Sequence, residues 1–257
     1  MKQVIPFSNV LGVGVSAIDM EMALEQIRDW IEGGDRTYVC VTGVHGVMES
    51  RRDEHLRRIH NRAGMVTPDG MPLVWLSRLK GHTHVERVYG PDLLLAACDK
   101  SLQTGWSHYF YGGGLGVTKK LAAQLSKRYP GLKIAGTGAP PFHPLTKEED
   151  EVEIAQINAA HPDLLWIGLG TPKQEYWMAD HLGRVDAPVM IGVGAAFDFH
   201  AGIKQQAPCW MQRSGLEWLY RLASEPKRLW RRYLVNNPLF LILILLQLSG
   251  VKRYPIE

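Results

Sequence analysis

Apolar positions along the chain alternate between two spacings. Short β-branched and aromatic runs, such as Thr37–Thr42, Leu164–Gly168 and Val189–Val193, are typical of buried strands. Segments with apolar residues at helical spacing lie between them, for example Met20–Glu32 and Val117–Arg128. Strands that alternate with helices predict an α/β fold whose parallel sheet carries helices on both faces.

Local signals predict where several helices begin. Asp53 is expected to cap a helix that carries Leu56 and Ile59. Pro91 suits the first residue of a helix over Pro91–Gln103, and Thr146–Glu149 matches a capping box. Each signal follows an apolar run or a turn, which supports the alternation.

The alternation weakens near residue 203, where the chain becomes helical and basic. We therefore predict an α/β catalytic core over residues 1–203 and a helical appendage over 204–257. Within the appendage, Pro238–Leu248 reads PLFLILILLQL. As a helix it would cover roughly 16 Å, against about 30 Å of bilayer hydrocarbon, so it cannot span alone. It would suit a buried helix, a membrane interface or a homo-oligomer interface.

The amino-acid composition, net charge and cysteine content exclude few classes of function. Hydrophobic residues make up 46% and charged residues 21%, which is typical of a globular protein, and a net charge of +3 does not by itself favour nucleic acid as a partner. The three cysteines, Cys40, Cys98 and Cys209, are far apart. Their separation favours a protein of a reducing compartment over one held together by disulfides. The N-terminus shows no signal-peptide pattern.

Three glycine-rich junctions, within 111–116, 168–175 and 192–202, each connect a predicted strand to a helix. Glycine lets backbone N–H groups approach a diphosphate, and helix N-termini favour anions. Three junctions at one sheet edge predict a ligand with phosphate and sugar groups. The candidate donor-binding residues are Gly112, Gly113, Gly114, Gly168, Gly170, Pro172, Lys173, Gln174, Glu175, Gly192, Gly194 and Asp198.

Plainer interpretations of these junctions remain open. The first junction would also serve as a tight turn without a ligand. Lys173 and Glu175 would also suit the surface of a helix's first turn, and Asp198 would suit either a ribose contact or a turn cap. The glycine spacing is irregular and no acidic residue follows about twenty positions on, which counts against a nicotinamide-dependent oxidoreductase.

Asp69 lies in the turn Thr67–Gly70 at the predicted sheet edge. A carboxylate there can accept a proton from an attacking hydroxyl, although turn chemistry alone also explains it. No D-x-D loop or H-E-x-x-H motif occurs, so we predict no metal and no other cofactor.

The appendage interleaves cations with aromatic residues. Arg221, Arg228, Arg231 and Arg232 accompany Trp218, Trp230 and Tyr233. This mixture is typical of an element at a membrane surface, although a solvated basic helix has the same composition. The cations would also suit a diphosphate. A non-catalytic membrane scaffold is therefore a further alternative.

Four segments together resemble the WecG/TagA/CpsF glycosyltransferases, glycosyltransferase family 26. They are Thr67–Pro72, Gly168–Glu175, Gly192–Asp198 and Gly215–Leu222. The resemblance covers about residues 10–234. It implies an inverting, metal-independent enzyme with a Rossmann-like core and a membrane-targeting appendage. The implied donor is a UDP-sugar, often of N-acetylmannosamine or its uronate, and a hexose would fit as well.

The implied acceptor is a sugar on a polyprenyl diphosphate, used for cell-surface polysaccharide at the cytosolic face of the membrane. By the same resemblance Asp69 is the base, Gln174 belongs to the donor site, and Arg221, Arg228 and Arg231 support activity. The chain departs from the family where many relatives carry Thr-x-Asn. Here Thr42 is followed by Gly-Val-His45, and His45 is expected to take the asparagine's place in sugar or acceptor binding.

Overall fold

The computed structural model describes residues 5–141, 143 and 145–256. These residues form eight strands. In chain order the strands are β1 (Phe7–Val10), β2 (Val13–Ser16), β3 (Thr37–Thr42), β4 (Met65–Pro68), β5 (Ser107–Gly112), β6 (Lys133–Gly138), β7 (Leu164–Gly168) and β8 (Val189–Gly192).

Thirteen α-helices are described, together with one π-helical segment, Arg231–Val235. The helices are α1 (Met20–Gly33), α2 (Val44–Arg52), α3 (Glu54–Arg62), α4 (Met71–Leu79), α5 (Gly90–Thr104), α6 (Val117–Arg128), α7 (Lys147–Ala159), α8 (Lys173–His181), α9 (Ala196–His200), α10 (Cys209–Arg213), α11 (Glu217–Ser224), α12 (Pro226–Trp230) and α13 (Asn236–Leu248).

Six strands form one sheet in the order β4-β3-β8-β7-β5-β6. The pairs β3–β8, β8–β7, β7–β5 and β5–β6 are all parallel. This confirms the predicted α/β fold with helices flanking a parallel sheet. The antiparallel hairpin of β1 and β2 lies outside that sheet and was not predicted.

Side-chain caps begin two helices where the sequence predicts them. The Asp53 carboxylate accepts the backbone N–H groups of His55 at 2.9 Å and Leu56 at 3.2 Å. Thr146 and Glu149 complete the reciprocal capping box of α7. Both caps satisfy N–H groups that have no partner inside the helix.

The chain forms two compact units, which we describe separately. The first unit comprises Met1–Met20, Val41–Tyr89 and Gln206–Glu257. Its core contains buried residues of β2, α3 and α4, among them Val15, Leu56 and Leu73. The Gln247 amide near the end of α13 donates to the backbone oxygen of Asn9 at 3.1 Å. This hydrogen bond connects α13 to the N-terminal hairpin within the unit.

The second unit comprises Glu21–Cys40 and Gly90–Gln205. Its core is aromatic: the rings of Phe110 and Phe197 meet edge to face at 5.9 Å, and Trp166 is fully buried. The predicted division at residue 203 stays a prediction. The contacts define units in which the C-terminal segment belongs with the N-terminal one.

The C-terminal helix is longer than the predicted apolar segment. The elements α12, Arg231–Val235 and α13 follow without a break over Pro226–Leu248, 23 residues or roughly 34 Å. The expectation that Pro238–Leu248 is too short to span alone concerns only the last eleven residues of this helix, and it stays a prediction. By length and composition only, the whole helix is the one candidate span among the described residues, and a buried helix of a soluble protein passes the same test.

Candidate functional site

The first cluster of candidate residues surrounds Asp69, directly after β4. Its backbone N–H donates to the carbonyl oxygen of Thr42 at 3.0 Å, which holds the turn against the end of β3. A Cβ added to Gly43 would lie 3.6 Å from Oδ2 of Asp69. The carboxylate is therefore close to the backbone of Gly43, which has no side chain to separate them. Asp69, the carboxylate predicted from the sequence to act as a base, is half-buried.

Arg87 connects the Asp69 turn to α11. Its Nε donates to the backbone oxygen of Asp69 at 2.5 Å, and its guanidinium pairs with the carboxylate of Glu217. The Tyr89 hydroxyl donates to the same carboxylate at 3.1 Å, and the Arg87 guanidinium lies 3.8 Å from the centre of the Tyr89 ring. Burial lowers the pKa of Arg87, but the charges of Asp69 and Glu217 raise it, and the net pKa is raised.

Arg87 and Tyr89 lie beside the Asp69 turn, but they were not among the residues predicted from the sequence. A local signal existed, because both stand just before Gly90 and Pro91 at the start of α5, where loop residues often carry function. Glu217 was noted only as part of a resembling segment. Its partner Arg87 is 130 positions away, and local pattern does not reveal such a pair.

The four arginines of the appendage separate into two groups. Arg221 and Arg232 are half-buried, and burial lowers the pKa of both. Neighbouring charges outweigh burial at Arg221, whose net pKa is raised, but not at Arg232, whose net pKa is lowered. The charge of Asp69 acts on both arginines, so Asp69 lies within electrostatic reach of them. Arg228 and Arg231 are exposed. The Nε of Arg228 donates to Glu225 at 2.6 Å, and Arg231 lies 5.2 Å from the centre of the Trp230 ring. Of the three predicted arginines, the structure places only Arg221 in this cluster, and it adds Arg232.

His45 lies in the first turn of α2, close to these arginines. Burial and then the charges of Arg232, Arg52 and Arg221 lower its pKa to about 3, so the imidazole is neutral at physiological pH. Its Nδ1 lies 3.7 Å from Oε1 of Glu49, beyond hydrogen-bond distance.

Thr42 ends β3 with its side chain buried. Its hydroxyl lies 3.0 Å from Nε2 of His60, while Nδ1 of His60 lies 3.0 Å from the carbonyl oxygen of Leu56. A carbonyl oxygen only accepts, so Nδ1 carries the proton and the Thr42 hydroxyl donates to Nε2. This contact orients Thr42 toward the interior of the unit.

In the second unit, two glycine junctions pack against each other. Gly112 has a φ of +118°, and a Cβ added to it would lie 2.8 Å from the carbonyl carbon of Gly168. The N–H of Gly113 donates to the carbonyl oxygen of Gly168 at 2.9 Å. A Cβ on Gly168 would in turn lie 2.4 Å from the Phe197 ring. Packing therefore requires glycine at Gly112 and Gly168, whatever ligand binds there. Gly114 is half-buried in the same turn.

The loop before α8 is ordered by two adjacent buried side chains. Oε1 of Gln174 accepts the N–H of Gly170 at 3.1 Å, and its Nε2 donates to Oε1 of Glu175 at 3.1 Å. The Thr171 hydroxyl donates to the same carboxylate oxygen at 2.9 Å. Lys173 is exposed, whereas Glu175 has no exposed surface, so the alternative that placed Glu175 at the surface is wrong.

The third glycine junction, residues 192–202, packs against the side-chain amide of Gln174. A Cβ on Gly192 would lie 3.0 Å from Nε2 of Gln174, and one on Gly194 would lie 3.4 Å from its Oε1. Asp198, half-buried in α9, pairs with Nζ of Lys204 at 2.9 Å. Pro172 immediately precedes α8. The second and third junctions are thus brought together around one amide.

Within 5–141, 143 and 145–256, no group of three or more His, Cys, Asp or Glu side chains is placed to hold a metal ion. The expectation that the enzyme works without a metal stays a prediction.

Comparisons with known proteins give one consistent family. The profile of the Glycosyl transferase WecG/TagA/CpsF family matches residues 8–254. Three similar proteins carry the name N-acetylglucosaminyldiphosphoundecaprenol N-acetyl-beta-D-mannosaminyltransferase. The protein of Bacillus spizizenii is 31% identical over 72% of this chain and 70% of its own length. That of Bacillus subtilis is 30% identical over 79% and 77%, and that of Staphylococcus aureus strain MW2 is 27% identical over 95% and 94%.

Proposed function

Because the chain belongs to the WecG/TagA/CpsF family of glycosyltransferases, we propose that it transfers a sugar from UDP to a polyprenyl-diphosphate-linked acceptor. The relatives' name specifies an N-acetylmannosaminyl group and an N-acetylglucosaminyl-diphospho-undecaprenol acceptor. N-acetylmannosamine, its uronate or a hexose is the proposed donor sugar here. The product serves cell-surface polysaccharide synthesis.

The observation that best supports this proposal is the setting of Asp69. The carboxylate is half-buried, its turn is held by Thr42 and Arg87, and cationic side chains lie within electrostatic reach. Neighbouring cations favour the ionised carboxylate, which is the form that a base needs. Asp69 accepts the proton of the acceptor hydroxyl as that oxygen attacks the anomeric carbon. UDP leaves from the opposite face, so the configuration inverts.

The donor is proposed to bind at the glycine junctions of the second unit. There the Gln174 amide and the backbone around Gly170, Gly192 and Gly194 offer hydrogen bonds to phosphate and sugar groups. The enzyme is proposed to work without a metal, so arginines and backbone N–H groups meet the charge of the leaving diphosphate.

Membrane attachment at the cytosolic face is proposed for the C-terminal helix. Its apolar residues Leu241, Ile242 and Leu245 are exposed, whereas Phe240 and Ile244 are buried, so one face is packed and the other is available to lipid. An acceptor that is itself a membrane lipid requires such an approach.

The test is a transfer assay with UDP-N-acetylmannosamine and a short-chain N-acetylglucosaminyl-diphospho-prenyl acceptor. Asp69→Asn is expected to lower kcat by roughly 10²- to 10⁴-fold, the usual contribution of a general base, and to leave UDP affinity nearly unchanged. Normal turnover in that variant would remove Asp69 from the mechanism. A rise in melting temperature with NAD or NADP, but not with UDP-sugars, would instead favour the oxidoreductase alternative.

A further inference from the structure

Helix α4 presents a tryptophan at the surface, close to the start of the helix. Its packed side consists of Leu73, Val74, Leu76 and Ser77, which are buried in the first unit. Trp75 lies away from this packed side and is 45% exposed. An indole offers a large, flat apolar area to any partner that covers it, so an indole held in one position at the surface is well suited to contact a ligand.

The indole is held in place by the loop before α11. Gly215 has a φ of +73°, and a Cβ added to it would lie 2.8 Å from Cη2 of Trp75 and 3.5 Å from Cβ of Met71. A larger residue at this position would push the ring away. Since one point of the loop contacts both side chains, the tip of the indole reaches back over the first turn of α4, the direction in which helical side chains lean.

The first turn of α4 adjoins the candidate base. Asp69 lies in the turn that leads into α4, and Met71 is the first residue of the helix. The loop that contacts the indole continues into Glu217, whose carboxylate pairs with Arg87. Arg87 in turn donates to the backbone oxygen of Asp69. The indole and the turn of the candidate base are therefore supported by the same short segment of the chain.

We propose that Trp75 binds the acceptor sugar by stacking its indole against one face of the pyranose ring. The inference rests on the proposed glycosyl transfer, in which Asp69 accepts a proton from a hydroxyl of that sugar. The acceptor named for the relatives carries an N-acetylglucosaminyl group. The hydroxyls of such a ring point outward around its rim, while its C–H groups form two apolar faces. An aromatic side chain is the natural partner for an apolar face of this size.

The position beside Asp69 favours the sugar over the other parts of the acceptor. A hydroxyl within hydrogen-bond distance of the carboxylate brings its own ring next to the turn before α4. The prenyl chain is separated from that ring by the diphosphate, so it lies farther from the reacting hydroxyl. The diphosphate is charged and has no apolar face to stack. Trp75 thus orients the sugar so that its hydroxyl meets Asp69.

Calorimetric titration of the full chain with two soluble ligands tests the stacking contact. One is a short-chain N-acetylglucosaminyl-diphospho-prenol, and the other is the same prenyl diphosphate without the sugar. Trp75→Ala is expected to weaken binding of the sugar-bearing ligand roughly 10- to 50-fold, because the apolar contact of the indole is lost. Its affinity for the sugar-free ligand should change by less than about 3-fold, which also shows that the variant is folded.

Two matched variants make this result specific. Trp75→Phe keeps an aromatic face and should retain most of the affinity for the sugar-bearing ligand. Leu79→Ala removes a leucine that is 75% exposed on the same helix, and it should bind both ligands normally.

A second pair of variants displaces the indole without removing it. Gly215→Ala places a Cβ against the ring at a φ of +73°, whereas Gly250→Ala introduces the same backbone strain at a φ of +75°. The Cβ added at Gly250 meets no atom of the described residues within 4 Å. Only Gly215→Ala should therefore weaken binding of the sugar-bearing ligand, by at least about 5-fold.

The outcomes separate the alternatives. The proposal is overturned if Trp75→Ala binds the sugar-bearing ligand as tightly as Leu79→Ala does. Equal weakening of both ligands would assign the indole to the lipid part of the acceptor, and weakened binding of UDP-N-acetylmannosamine alone would assign it to the donor; either result overturns the proposal. If the unaltered chain transfers no sugar while Trp75→Ala selectively loses the sugar-bearing ligand, the proposed function fails and the stacking contact stands. If the chain transfers sugar and Trp75→Ala binds normally, only the stacking contact fails.

Discussion

Nε of Arg87 and the backbone oxygen of Asp69 lie 2.5 Å apart, so an arginine holds the turn of the candidate base by its main chain. The same guanidinium pairs with Glu217 at the start of α11, and both side chains are only about one-seventh exposed (15% and 14%). The C-terminal segment therefore supports the Asp69 turn through one side chain, within a single compact unit.

Glu217→Gln is expected to loosen this support. The amide can still accept a hydrogen bond but no longer balances the charge of Arg87, so the free energy of unfolding should fall by about 1–3 kcal/mol. Because the Asp69 turn loses a fixed neighbour, kcat should fall by more than KM rises. Urea unfolding and steady-state kinetics measure the two effects.

The control for this prediction is Glu225→Gln. Glu225 pairs with the exposed Arg228, and such surface pairs contribute at most about 1 kcal/mol. Similar losses in both variants would show that the Arg87–Glu217 pair has no special part in holding the turn.

Glu175 is predicted to act on donor binding by fixing Gln174. Glu175→Ala removes the acceptor that holds both the Gln174 amide and the Thr171 hydroxyl, so the loop before α8 should lose its order. We expect UDP affinity to fall at least about 10-fold, since a misplaced amide loses its hydrogen bond to the ligand. Calorimetric titration with UDP measures this.

Two further variants make this result specific. Glu175→Gln keeps an acceptor oxygen and should restore most of the affinity. Asp180→Ala removes an exposed carboxylate from the same helix and should leave UDP affinity unchanged. The hypothesis is wrong if Glu175→Ala binds UDP as tightly as Asp180→Ala.

The parts of the fold that depend on local signals were predictable from the sequence. Helix α6 has the predicted bounds, Val117–Arg128, and β3 has the predicted bounds, Thr37–Thr42. The hairpin of β1 and β2 was missed, because Phe7–Ser16 is short and contains two glycines, which weakens any strand pattern. Helix α2 was also missed, since it begins directly after β3.

Candidate site residues were predictable only where a motif lies within one continuous segment of the sequence. The segments containing Asp69 and Gln174 were identified, but the link through Arg87 joins positions 18 and 130 residues apart, which periodicity does not reveal. The sequence pattern also did not show which arginines of the C-terminal helix are exposed and which are half-buried. The π-helical turn Arg231–Val235 changes the phase of the helix, so positions counted at 3.6 residues per turn do not show that Arg232 is the shielded one.

Acid is predicted to destabilise the chain through His108. This buried imidazole accepts the indole N–H of Trp166 at 2.9 Å and lies 2.8 Å from the Ser101 hydroxyl, and burial lowers its pKa to about 4. The folded state therefore prefers neutral His108. Its contribution is complete above about pH 6.5, the unfolded pKa, and is lost as the pH falls toward 4. About 2 kcal/mol should be lost between pH 6.5 and 5.

Urea unfolding at pH 7 and pH 5 checks this contribution. His108→Gln does not titrate, so its free energy of unfolding should fall less between the two pH values than that of the unaltered chain. Other histidines, such as His45 and His200, titrate in both proteins and cancel in the comparison. An identical pH dependence in the two proteins would exclude His108 as a source of acid sensitivity.

Membrane binding is predicted to depend on the exposed face of α13. Leu241 and Leu245 are 61% and 66% exposed, so replacing both with glutamine removes apolar contact with lipid without disturbing the packed face. Each fully buried leucine contributes about 1.5–3 kcal/mol, and even partial burial of two should make affinity for anionic vesicles fall at least about 10-fold. Vesicle sedimentation measures it. The double variant Leu79→Gln/Leu102→Gln removes exposed leucines outside the C-terminal segment and should sediment normally. If both double variants sediment like the unaltered chain, another surface must carry the attachment.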